Sequence, residues 1–389
     1  MIPTIYLVFV DDWELRGDGS GDPYQIQFKP MRELVRIFNR YGIRGSFNAE
    51  VMQQLTFRKY QGTYPELRAV ANGWDEAVLE TLRQGHDIQL HIHPQWRGAR
   101  YERNGKWVLS ADWSILNYEP QAAREMISAG KEYLEGLLRH VDPKYRCVSF
   151  RSGSWCIAPS DHILTVLSEL GIVFDMSIVG GVRYDNWNIN LDYTKCQESF
   201  LPFYPEMTDA RRIAKEPQPI VCVPTNHFRE GTFPILKRDL RRLLGKISRP
   251  KRPAGDATEP AAAYTEWIVP LSLPVRFMRK LSSYLNGNVY ISDIAQLDYG
   301  MLSLMMRSIR SRARKTGLTE LPIILENHTK DIRDFSHIER FVADLAGAED
   351  VKCITLTDLA RKLVNEEFAI RSARKMDRTP IPRPTAQQV

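Results

Sequence analysis

The stretch GHDIQLHIHPQW, residues 85–96, holds three of the chain's 8 histidines. Two of them, His91 and His93, form a His-x-His pair directly before Pro94. On an extended strand, side chains two apart share a face, with Cα atoms about 6.5–7 Å apart. Two imidazoles so placed can converge on one cation at about 2.0–2.1 Å per bond. Pro94 biases His93 away from the helical region, which favours the extended pair. His86 lies at an odd spacing from His91, so it is expected on the opposite face, in a structural role.

Other ionisable residues fall where short apolar runs end. Asp11 and Asp12 close TIYLVFVDD, Arg151 follows CVSF, Asp175 lies in IVFDMSI, and LPIILE leads into Asn327 and His328. Any one of these has a structural explanation; their joint placement points to a site. Two imidazoles with one carboxylate suit Zn²⁺ and tolerate other divalent first-row metals, with positions left open for water and substrate. At a strand end the backbone turns, so both aspartates are expected to reach the site. One would bind the ion and the other act as general base. Arg151 would hold the base ionised. His328 would be the general acid, with Asp175 orienting its ring.

Such residues need elements that bring strand ends together. Short segments at 4–10, 44–50, 86–92, 147–150, 172–178, 219–224, 321–326 and 351–356 read as strands. Helical spacing is expected over 30–41, 74–84, 120–139, 160–170 (capped by Ser160), 299–315, 335–346 and 357–366. Seven to eight strands alternating with helices predict an α/β fold, either a (β/α) barrel or a doubly wound sheet. In a barrel, chemistry gathers at the C-terminal strand ends. The rhythm breaks after residue 229, at a basic, Pro/Ala/Gly-rich stretch. The expected domain is therefore 1–228 with 299–366, carrying a helical insertion at 229–298 and a flexible tail at 367–389.

Composition narrows the class. Hydrophobic residues make up 43% and charged residues 26%, as in ordinary globular proteins. A net charge of +6 is too modest for a nucleic-acid binder. Charge concentrates in residues 237–252, KRDLRRLLGKISRPKR, read either as a solvated basic helix and linker or as a surface for anionic lipid or glycan phosphate. Five scattered cysteines with no CxxC pair indicate reduced thiols. With no secretory signal and no apolar run of about 20 residues, a cytoplasmic location is expected, with association at the inner membrane face as an extension of it.

Taken in order, VFVDDW, GHDIQLHIHPQW, FRSGSW, DMSIVGG and LENH resemble the motifs of the polysaccharide deacetylase family (NodB homology). The resemblance covers about residues 4–230 and 320–362. It implies a distorted (β/α) barrel, with Asp11 as base, Asp12, His91 and His93 as metal ligands, and Arg151 as partner of the base. It further implies an oxyanion donor in the Ser154 N–H, and Asp175 and His328 as further catalytic residues. Three departures mark a divergent member: Trp13 replaces the usual glycine, Gln95 stands where the second metal histidine is usual, and Gly153 replaces a proline. Trp13, Trp96, Trp155, Tyr184 and Trp187 are placed near the mouth, either to stack on sugar faces or to fill the rim.

The expected function is metal-dependent removal of an N- or O-linked acetyl group from a glycan or a nucleotide- or lipid-linked glycan precursor. The alternatives are an amidohydrolase of a non-sugar C–N bond and a non-catalytic glycan-binding protein.

Overall fold

The computed structural model describes residues 2–186, 188–230 and 288–374. Trp187, the basic segment 237–252 and the end of the expected tail lie outside the described residues. The chain divides into two compact units, Met1–His227 with Ile291–Val389, and Phe228–Tyr290. At the described ends of the second unit, Phe228 stacks on Tyr290 at 5.6 Å and Tyr290 donates to Glu230 at 3.1 Å.

The first unit is a distorted α/β barrel. Its strands are β1 (Thr4–Trp13), β2 (Ser46–Glu50), β3 (Asp87–Ile92), β4 (Ser149–Ser152), β5 (Phe174–Asp175), β6 (Val221–Cys222), β7 (Glu320–Asn327) and β8 (Val351–Cys353). They pair in the order β6-β5-β4-β3-β2-β1-β7. A single bridge from Thr225 to Ile324 joins the two ends of that order. The distortion lies beside β1. Its first half pairs with β8 and its second half with β2, while β7 follows its other edge throughout.

Parallel strands covered on both faces read as continuous apolar runs, and β1 is buried along nearly its whole length. Its faces alternate. Tyr6, Val8 and Val10 face a core of Phe174, Met176 and Ile324, stopped below by Leu356 and Leu359. Phe9 faces out, against Phe38 and Phe341. The outer layer is formed by α1 (Lys29–Arg40), α2 (Val51–Tyr60), α3 (Pro65–Arg83), α4 (Pro120–Leu138), α5 (Ile163–Glu169), α6 (Tyr299–Thr316) and α7 (Phe335–Ala346). Helix α8 (Leu356–Val364) follows β8.

Several expectations change. Helix α2 was not anticipated: it is buried nearly all round, Gln53 and Gln54 included, so no amphipathic period marks it. Helix α3 starts at Pro65 rather than 74, with the proline in the first turn, where its missing N–H costs nothing. Ser160 does not cap α5. Its hydroxyl donates to the Ile157 carbonyl and accepts from Ala210 N–H, and α5 starts only at Ile163. Residues 291–298 belong to the barrel unit, not to the insertion. Ser292 N–H donates to Asn226 O at 3.0 Å, and Asp293 bridges to Glu326. The expected tail begins too early, because Phe368 is buried against Tyr6 and Arg371 bridges to Phe203.

Candidate active site

Strand β1 runs on to Trp13, and its alternation decides where each acid points. Asp12 shares the interior face with Val10, and Glu14 follows two residues later. Asp11 shares the outward face with Phe9 and Trp13. Its carboxyl lines a small cavity with Phe9, Leu34, Phe38 and Ile294, and accepts from the Asn327 amide. The other Asp11 oxygen, Oδ2, is buried without a hydrogen-bond partner.

Inside the mouth, Glu14, His91 and His93 each turn one donor atom to the same point, all within 4.8 Å of one another. Glu14 Oε2 lies 3.2 Å from His91 Nε2 and in direct contact with His93 Nε2. The His91 ring is oriented from behind: its Nδ1 is 2.9 Å from the Arg151 carbonyl. A carbonyl only accepts, so Nδ1 carries the hydrogen, and Nε2 is the nitrogen that faces Glu14. A ring tied through one nitrogen, with the other turned to the site, is the usual arrangement of a metal ligand. Gln95 Nε2 holds His93 Nδ1 at 2.8 Å, and Glu50 accepts the His93 N–H at 2.9 Å while capping α2. A Cβ on Gly153 would stand 2.8 Å from the His93 ring, so the glycine at that position makes room for the imidazole. These three donors fit a divalent cation.

Beneath them lies a second layer of charge. Arg151, fully buried, reaches Asp12 at 3.3 Å, Glu326 at 2.7 Å and Thr225 Oγ1 at 2.9 Å. Burial opposes the Asp12 charge, but Arg151, His91 and His328 outweigh it and hold Asp12 below the usual carboxylate range. Burial lifts Glu326 to about 7 in spite of Arg151. His328 Nε2 stands 3.8 Å from Asp12 and 4.0 Å from Glu14. Its Nδ1 meets Asp293 at 3.0 Å. Burial alone would lower the His328 pKa, yet Asp293, with Glu326, pushes it up to about 10. Lys330 closes the group with an ion pair to Glu14. At the rim, Trp155 donates from Nε1 to Glu326 at 2.7 Å, stacks on Tyr184 at 5.9 Å and turns an edge to His328. Ser154 and Trp155 both hold left-handed backbone, φ 54° and 56°, costing about 1–3 kcal/mol each.

No family model and no curated protein matches the chain. Among solved structures, a Mycobacterium smegmatis protein assigned as a polysaccharide deacetylase is 12% identical, aligned over 99% of this chain and 96% of that one, with a TM-score of 0.50. The chain shares the distorted α/β barrel fold of that protein. At that identity the likeness is one of fold. A protein from Pseudomonas aeruginosa PAO1, also assigned as a polysaccharide deacetylase, is 12% identical over 93% of this chain and 91% of that one, with a TM-score of 0.45. Puue allantoinase is 10% identical over 94% of this chain and 92% of that one, also with a TM-score of 0.45.

On this barrel the expected residues fall into three groups. Asp12, His91, His93, Arg151 and His328 meet at the mouth, with Ser154 and Trp155 beside them. Asp11 does not, because the strand does not turn until after Trp13; Arg151 therefore pairs with Asp12 rather than Asp11. Nor does Asp12 join the two imidazoles, since Glu14 takes that place. Asp175 is apart from His328: both its oxygens accept from Ser177, at 3.0 and 2.7 Å, and burial lifts it to about 6. Trp13 and Trp96 are core residues. Trp13 packs on Phe28 and Trp74 and donates to the Gln27 carbonyl. Trp96 packs on Phe57 and Trp107. His86 lies on the helix-facing side as expected, accepting from Gly45 N–H at 3.1 Å. Glu14, Asp293 and Lys330 were not anticipated. For Glu14 the signal was present, since residues 12 and 14 share a face on a strand that continues.

Proposed function

We propose that this protein is a metal-dependent hydrolase that removes an acetyl group, N- or O-linked, from a glycan or a nucleotide- or lipid-linked glycan precursor. The observation that carries the reading is the convergence of Glu14, His91 and His93 beside the His328–Asp293 pair. Two imidazoles and one carboxylate suit Zn²⁺. Once bound, such an ion lowers the pKa of water and polarises a carbonyl.

The chain's own groups divide the remaining work. Asp12, kept ionised by Arg151, takes a proton from the attacking water, the role the motif resemblance gave to Asp11. The Ser154 N–H is offered to the developing oxyanion, where one donor contributes about 2.7–4 kcal/mol. His328 gives its proton to the departing amine or alkoxide as the C–N or C–O bond breaks, and Asp293 keeps the ring oriented. Acetate and the free amine or alcohol are the products. Trp155 and Tyr184 form a wall against which a sugar ring can pack.

The basic segment 237–252 supplies the argument for an anionic carrier on the substrate, or for the anionic inner membrane face, in a cytoplasmic protein. Among the described residues, no helix is long and apolar enough to cross a membrane.

The test is to measure bound metal and to assay acetate release from N- and O-acetylated sugars, free and nucleotide-linked. Acetate release that stops on chelation and returns with Zn²⁺ is expected. Turnover of only non-sugar amides would replace this reading with an amidohydrolase. A metal-free, inert protein that still binds glycan would replace it with a binding module.

A further inference from the structure

We infer that Lys330 is a positioning residue that makes Glu14 a one-oxygen donor to the cation site. The inference rests on the proposed reading of Glu14, His91 and His93 as ligands. The two oxygens of Glu14 have separate partners. Oε2 meets both imidazoles, with His91 at 3.2 Å and His93 in direct contact. Oε1 is in direct contact with Lys330 Nζ and 4.0 Å from His328 Nε2. Lys330 arrives there because the short turn Thr329–Asp331 follows His328 at the end of β7. One strand end thus supplies both the imidazole aimed at the mouth and the ammonium that ties Glu14.

The pairing is hard to dissolve. The Lys330 side chain is 15% exposed and that of Glu14 is 5%. Leaving either charge buried and unpaired is strongly unfavourable, so the ammonium stays on Oε1. A carboxylate with one oxygen engaged in this way presents only the other to an ion. Without the ammonium, both oxygens are free to close on the cation, and carboxylates bind in either mode. The single-oxygen mode keeps the coordination number low and a position open for water or substrate, the condition of a catalytic rather than a structural metal centre. A purely structural ion pair would bear on stability and leave the ion's surroundings unchanged.

Cobalt spectroscopy reads the difference directly. The full-length chain is loaded with Co²⁺ as wild type, Lys330→Arg and Lys330→Met, and the visible d–d bands are recorded beside thermal melts. Wild type and Lys330→Arg are expected to show the intense bands of a four-coordinate site. Lys330→Met is expected to keep the ion but lose band intensity as the second carboxylate oxygen joins. Should Lys330→Met fail to fold, Lys330→Gln, uncharged and one bond shorter, makes the same comparison with the same expected loss. Spectra of Lys330→Met or Lys330→Gln that superpose on the wild type overturn this inference alone. A wild type that takes up no Co²⁺ overturns the ligand assignment beneath it, and this inference with it.

Discussion

Asp11 and Asp12 are adjacent, chemically identical and opposite in circumstance. Burial, only partly offset by the Asn327 amide, pushes the Asp11 carboxyl well above the usual range and toward its neutral form. Arg151 and two histidines keep Asp12 charged against the same cost of burial. Replacing each by asparagine therefore has unequal effects. Asp12→Asn should lower kcat by about 10²–10⁴-fold with bound metal unchanged. Asp11→Asn, which alters a carboxyl that lines the outer cavity rather than the mouth, should stay close to wild type. Comparable losses in both variants, measured with metal content in hand, would return the role of base to Asp11. Gly153 is the other sensitive position. A methyl at that Cα meets both the His93 ring and the Ile92 carbonyl at 2.8 Å. Gly153→Ala should therefore weaken metal binding by roughly 10–100-fold, the usual scale for disturbing a ligand's support. Calorimetric titration with Zn²⁺ gives the number directly, and an unchanged affinity would mean that His93 is not a ligand.

Among the elements, the seam between α1, β2 and β3 carries a proton-linked contribution. His86 is neutral there, accepting from Gly45 N–H. Burial, and then the nearby Arg44 charge, lower its pKa from 6.5 to about 4. Between those values the unfolded chain binds the extra proton, so the linked stability is present above about pH 6.5 and lost as pH falls toward 4. Its full extent is about 3 kcal/mol. Urea unfolding at pH 7 and pH 5 should show wild type losing more than His86→Asn, and parallel losses would assign the acid sensitivity elsewhere. The same seam shows what the sequence carries. Strands β1 and β7 are legible because burial on both faces leaves uninterrupted apolar runs. The polar residues at strand ends, His91, His93, Arg151 and His328, are legible because chemistry gathers at the C-terminal ends of barrel strands. Where a strand stops is less legible, and three further residues of strand moved Asp11 off the site and brought Glu14 onto it. Asp293 carried no signal at all. It reaches His328 from the residues just after the short strand Asn288–Ile291, where one bridge ties it to Glu326.

For the whole molecule, the barrel is stoppered from below by α8 and the chain that follows it. Phe368 packs edge-on against Tyr6 at 5.1 Å and belongs to the same core as Val8 and Leu359. Phe368→Ala should cost about 3–5 kcal/mol of unfolding free energy in urea, although the residue lies beyond the last helix. A loss under about 1 kcal/mol would mean that the lower core does not depend on this segment. At the other end of the barrel, Glu14 with His91 and His93, and Asp12 and Glu326 with His328, form two groups that could each seat an ion. Arg151 rules on this before any metal arrives: its guanidinium already balances Asp12 and Glu326, and a second dication would have to evict it. The binding isotherm should therefore saturate at one equivalent of Zn²⁺ per chain, and a second tight equivalent would require an arginine that swings aside.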